Sequence, residues 1–129
     1  MENQIYNWFV KKGNILIQRN DTCISLQLNG ENGESCLLTR SDNDDIIQLL
    51  TKIAKAIWED PDYERKPYPN QLCQEVDNVY YWDIEEARLM IRYNEMENAV
   101  EIGCDGSQKL NLEINYAVEI IQVLEHFNQ

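Results

Sequence analysis

Shifted against itself by 74 positions without a gap, the chain lays residues 5–53 on 79–127 in a consistent pattern, and this self-similarity constrains the fold more than any other feature. Tyr6 meets Tyr80 and Trp8 meets Trp82. Ile15, Leu16 and Ile17 fall on Leu89, Met90 and Ile91, and Leu26 and Leu28 fall on Val100 and Ile102. Farther along, Leu38 lands on Leu112, and the run Ile46 to Leu50 lands on Ile120 to Leu124. Alternating apolar residues would produce part of this match in any two strands; the paired tyrosines and tryptophans are not required by periodicity. The expectation is two similar units, 5–58 and 79–128, joined by a connector over 59–78.

Each unit reads as four strands followed by a helix. In the second, Tyr80, Trp82 and Ile84 alternate with Tyr81, Asp83 and Glu85, the period of a strand with one wet face. Leu89, Ile91 and Tyr93, then Val100 and Ile102, then Leu110, Leu112 and Ile114 continue the pattern, with a turn at Asp105-Gly106-Ser107. The first unit repeats it with Ile15 and Ile17, with Ile24, Leu26 and Leu28, with a turn at Gly30 to Gly33, and with Cys36 and Leu38. Helical spacing then takes over: Ile46, Leu50, Ile53 and Ile57 lie one turn apart, as do Ala117, Ile121 and Leu124. Ser41 and Asn115 are suited to cap these helices, and Asp42, Asp44 and Asp45 suit a first helical turn. The sequence therefore predicts an α+β fold of order ββββα-ββββα with helices packed on sheet. Three prolines in Pro61 to Pro69 mark the connector, since proline continues neither a helix nor a central strand.

At 129 residues the chain suits a single domain with a real core. Its formal charge of -12 repels polyanions, so nucleic acid and anionic membrane are poor partners. A basic protein partner is favoured instead, although acidity also serves solubility alone. The charge is uneven: residues 1–66 hold eleven acids against eight bases, and residues 67–129 hold twelve against three. No basic start followed by an apolar run marks a leader, and no segment approaches the roughly 20 apolar residues that span a bilayer, so the expected location is the cytoplasm. Cys23, Cys36, Cys73 and Cys104 form no C-x-x-C pair, and Cys36 and Cys104 read as small buried hydrophobes.

Catalytic chemistry finds no motif. His126 is the only histidine and lies three residues from the last residue; the expected state is an exposed helix-end side chain. The serines lack a nucleophile elbow, no glycine loop suits a phosphate, and carboxylate pairs are too abundant to single one out. No catalytic, cofactor or metal residue is predicted, and the chain is read as a non-enzyme. What remains is surface. Asp83, Glu85 and Glu101 take outward strand positions in the second unit, with Glu86, Glu95 and Glu97 on turns, and these six acids form the predicted partner-binding face. The matching outward positions of the first unit, Phe9, Leu16, Ser25, Gln27 and Leu37, are less charged and offer a surface for docking or for a homodimer.

A duplicated unit of four strands and a helix resembles in layout the Pur and Whirly single-strand-binding proteins, although the basic strand faces such binders need are missing. In character, a small acidic domain without an active site resembles the bacterial immunity proteins that neutralise toxins delivered between competing cells. That resemblance implies binding to a cognate toxin domain, commonly a nuclease, by occlusion. A phage-derived inhibitor that imitates DNA and an acidic secretion chaperone acting as a homodimer are the other classes this sequence admits.

Overall fold

The computed structural model describes residues 5–20, 22–30, 35–64, 71–106 and 109–129. The turn expected over 31–33, the residues Asp21 and Ser107, and the prolines at 67 and 69 lie outside them. The elements run β1 (Ile5–Val10), β2 (Gly13–Arg19), β3 (Ile24–Gly30), β4 (Ser35–Leu38), α1 (Arg40–Glu59), β5 (Gln74–Val76), β6 (Val79–Ile84), β7 (Ala87–Asn94), β8 (Ala99–Asp105), β9 (Lys109–Leu112) and α2 (Ile114–Phe127). The protein is α+β: two antiparallel sheets and two helices.

The sheets do not correspond to the two halves of the chain. One has the order β1-β2-β3-β9 and the other β4-β8-β7-β6-β5. Each half gives its fourth strand to the other half's sheet, where β9 pairs with β3 and β4 pairs with β8. Both are four-residue strands, and neither pairs with the strand before it in sequence. The expected layout is also corrected by β5, a short strand inside the connector that pairs with β6 and makes that sheet five-stranded.

Register corrects the gapless alignment as well. Tyr6 opposes Ile17 in β1 and β2, and Tyr80 opposes Ile91 in β6 and β7, a shift of 74 in both strands. In the next pair, however, Ile17 opposes Leu26 whereas Ile91 opposes Ile102, so β3 corresponds to β8 with two further residues. Leu26 thus stands where Ile102 stands, not Val100. A slip of two keeps every side chain on its face, which is why the hydrophobic pattern conceals it.

One buried cluster takes side chains from both sheets and both helices. It holds the expected strand residues, among them Ile15, Ile17, Leu26, Leu28, Cys36, Leu38, Leu89, Ile91 and Ile102, with Trp82 fully buried. Trp8 is half-buried against it, being on the end strand of its sheet. Burial raises the Cys36 thiol pKa, as suits an inert core cysteine. Leu37 and Ser25, expected to face outward, are buried: the Leu37 N–H bonds the Lys11 carbonyl at 3.1 Å, and the small Ser25 sits between Gln18 and Asn111 across the sheet.

Helix α1 begins two residues earlier than expected. Thr39, not Ser41, is the cap: its hydroxyl accepts from the Asp42 N–H, and the Asp42 carboxylate accepts from the Thr39 N–H. In α2 the cap position is Glu113 rather than Asn115, and it makes no side-chain cap bond. The α1 stripe Ile46, Leu50, Ile53 and Ile57 is buried as expected, while in α2 Ile120 takes the buried place that Ile121 was expected to fill. The start of α1 meets the end of α2: buried Asn43 donates to the Leu124 carbonyl at 2.9 Å, and Arg40 donates to the Asn128 carbonyl at 2.8 Å.

A second buried polar residue anchors the connector. Glu119 of α2, 5% exposed, accepts from the backbone N–H of Leu72 and Cys73 at 2.9 and 2.8 Å and from Trp82 Nε1 at 3.0 Å. Three donors on one carboxylate hold the chain entering β5 against α2, and so place β5 on the edge of β6.

Candidate functional site

The six acids expected to form one face fall into two groups at opposite ends of the five-stranded sheet. Asp83, Glu85 and Glu86 lie at the β6–β7 turn, whereas Glu95 and Glu97 lie at the β7–β8 turn. Strand β7 spans eight residues, so at about 3.3 Å per residue these turns are roughly 25 Å apart. Glu101 sits between them on β8, where Arg92 donates to both its oxygens and Asn94 donates at 3.0 Å. Glu97 is held by Lys11 and Lys12 at 2.8 and 3.0 Å, and these two hydrogen-bonded ammonium groups keep its carboxyl below the usual carboxylate range. Two of the six are therefore engaged at positions remote from the β6–β7 turn.

That turn gathers what is left. Ile84 opposes Ala87, so Glu85 and Glu86 are the two loop residues of a tight hairpin. In the next register row Asp83 opposes Arg88 and Arg88 opposes Asp105, which adds a carboxylate that sequence reading passed over. The end of β8 is pressed against the turn: a Cβ on Gly106, whose φ is 107°, would meet the Glu86 carbonyl oxygen at 2.8 Å. Arg88 donates to Asp83 at 2.8 Å, and that bond with the adjacent carboxylate raises the arginine's pKa. Asp83 and Asp105 thus flank one arginine that is already bound, Glu85 and Glu86 adjoin them on the loop, and among the described residues no ion pair includes Glu85 or Glu86.

The comparable turn in the four-stranded sheet shows the contrast. Val10 opposes Gly13, so Lys11 and Lys12 occupy the same two loop positions that Glu85 and Glu86 occupy in β6–β7. Both lysines pair with the one carboxylate of Glu97. One hairpin tip is basic and satisfied; the other is acidic and open. Glu85 also has φ 55°, a conformation that favours glycine or asparagine over glutamate. Replacing it by glycine is expected to raise stability by about 0.5–1 kcal/mol, read as a higher urea midpoint at unchanged slope. A fall in stability would show that the carboxylate itself supports the turn. A charged residue held where the backbone disfavours it points to a use outside folding.

The opposite end of the sheet carries a cleft of about 1140 Å³ between the β7–β8 turn and the helix ends, lined by Arg40, Arg92, Tyr93, Met96, His126 and Phe127 among others. Its cations are engaged, Arg40 with the Asn128 carbonyl and Arg92 with Glu101. His126 is exposed, as expected for a helix end, and its ring lies 6.3 Å from Tyr80 and 5.3 Å from Phe127. No described residue sits beside it as the oriented partner that proton-transfer chemistry needs. Among the described residues no group of three or more His, Cys, Asp or Glu could hold a metal, and no helix is long and apolar enough to cross a membrane. Compared with protein-family models, with curated proteins and with solved structures, the chain matches none.

Proposed function

We propose that this protein is a non-enzymatic inhibitor that binds a basic protein partner, in the manner of an immunity protein that neutralises a cytosol-acting toxin, with a nuclease domain as the partner class its charge fits. The observation that carries this reading is the β6–β7 tip, where the loop carboxylates Glu85 and Glu86 adjoin a row in which Asp83 and Asp105 flank Arg88, itself already bound to Asp83. A nuclease groove that binds phosphates presents lysine and arginine to the same pattern of closely spaced negative charge. The turn projects from the end of the sheet on a short, well-paired hairpin, so it can enter such a groove with little loss of conformational freedom.

The test is to mix the purified protein with the toxin domain encoded beside it and to measure both binding and nuclease activity. Stoichiometric inhibition that weakens as salt rises is expected. Absence of binding at low salt sinks the reading.

The two halves are further read as copies of one ββββα unit that have exchanged their fourth strands. Support comes from the common register shift of 74 in the first hairpins and from the reciprocal pairing of β4 with β8 and β9 with β3. An experimental structure in which no rotation carries β1, β2 and β4 onto β6, β7 and β9 overturns the duplication.

A further inference from the structure

The outer faces of the two sheets differ in charge. On the four-stranded sheet the register places amides in the outward rows, with exposed Asn7 opposite half-buried Leu16 and half-buried Gln18 opposite buried Ser25, and among the described residues this face carries no acid. At its border β1 reads Ile-Tyr-Asn-Trp-Phe-Val, six residues without charge, proline or glycine. Ile5 is 60% exposed and Phe9 78% exposed, on the same outward phase as Asn7.

β1 is also an edge. It ends the order of its sheet, and beyond the single bridge from Lys11 to Leu37 its second edge pairs with no strand among the described residues. An uncharged edge strand of this length is a template for another strand, and proteins ordinarily cover or charge such an edge. The molecule covers the corresponding edge of its other sheet, where β5 pairs along β6 from Val79 to Tyr81. The connector held by Glu119 is committed there.

We propose that β1 is covered by the β1 of a second copy of this chain, joining two four-stranded sheets into one continuous eight-stranded sheet. Charge selects this occupant. Two chains of formal charge -12 repel each other wherever acids meet, so a second copy can approach closely only through a surface free of acid. A basic partner is drawn instead to the acidic tip at the far end of the other sheet. Antiparallel pairing about a twofold axis through Asn7 keeps the outward phase aligned: Ile5 lies opposite Phe9 of the second copy, and Asn7 lies opposite its own copy, where each Oδ1, which already accepts from Asn14 Nδ2 at 2.8 Å, takes a second donor from the facing amide.

Sedimentation equilibrium of the full chain over a wide concentration range tests this. A monomer–dimer equilibrium is expected whose association constant rises with salt, because salt screens the repulsion and touches nothing in an uncharged seam. Phe9→Lys, at an exposed position that leaves the thermal transition in place, lowers that constant by at least about tenfold, since twofold symmetry counts the change twice. Asn7→Cys, made with Cys23→Ser and Cys73→Ser, forms a disulfide-linked dimer on mild oxidation, whereas Gln27→Cys in the same background does not. A chain that stays monomeric at every concentration overturns the proposal and leaves the edge to a strand from another protein. A dimer indifferent to Phe9→Lys, or one that dissociates as salt rises, overturns it equally.

Discussion

Replacing Glu119 by alanine is expected to cost about 2–4 kcal/mol of folding stability, a large share of the 5–15 kcal/mol that holds a domain of this size together. The carboxylate accepts from Trp82 Nε1 and from the N–H groups of Leu72 and Cys73. Trp82 is fully buried, so its indole N–H is left without water or partner and bears the full cost of desolvation. Leu72 and Cys73 are only partly buried and can recover water, which limits the loss. The relief of no longer burying a carboxylate offsets part of it too. Glu119→Gln keeps one carbonyl oxygen but turns an NH₂ group toward donors, and should fall between wild type and alanine. Urea unfolding gives the ranking, and amide exchange locates it: Leu72, Cys73 and the β5 residues should lose protection before the β2–β3 pair does. Two variants within about 0.5 kcal/mol of wild type would show that the connector is held by other contacts.

Glu119 also shows where sequence reading stops. Helical periodicity places it beside Ala117 and Ile120, on the face that goes into the core, and nothing local shows why a carboxylate is tolerated there. Its donors lie 37 to 47 residues away along the chain. The strand phases were legible because a period of two is a local property, and Trp82, Leu89 and Ile102 went inside as that period requires. The cap of α1 was misplaced because Thr39 and Ser41 are both good cap residues; the reciprocal bonds between Thr39 and Asp42 decide between them. The exchange of β4 and β9 was not legible at all, since each is four residues long and either sheet could accept it with the same face buried. The two-residue slip between β3 and β8 was hidden for a related reason, because it preserves parity. Charge was legible in amount and not in placement. Arg92 faces Glu101 across strands, and Lys11 and Lys12 reach Glu97 across most of the sequence, so the predicted face of six acids contracts to one end of a hairpin, where Asp105 joins it.

Reversing both charges at that end, Glu85→Lys with Glu86→Lys, is expected to weaken binding of the proposed toxin partner by about a hundredfold or more, roughly 3 kcal/mol. The exchange makes the β6–β7 turn resemble the β1–β2 turn, which already carries two lysines at the same two positions, so the hairpin can bear the sequence. The positive φ falls on the second loop residue in β1–β2, Lys12 at 62°, and on the first in β6–β7, Glu85 at 55°; lysine and glutamate both carry a Cβ, so the substitution at position 85 meets the same backbone cost as the residue it replaces. The loss of affinity should come largely through slower association at low salt, since the four carboxylates act as a group at a distance before contact forms. Raising salt should narrow the gap between variant and wild type, because what screens attraction also screens the introduced repulsion. Asp44→Lys, near the start of α1 at the opposite end of the sheet, changes the net charge by as much as Glu85→Lys alone and is the control for that single reversal, which should weaken binding more than Asp44→Lys does by about threefold or more. Glu97→Gln separates the two ends of β7 further: its carboxylate is spent on Lys11 and Lys12, so its loss frees two internal cations without opening the acidic tip. Equal losses from Glu85→Lys and from Asp44→Lys would mean that the partner senses only total charge, and the β6–β7 turn would no longer be the site.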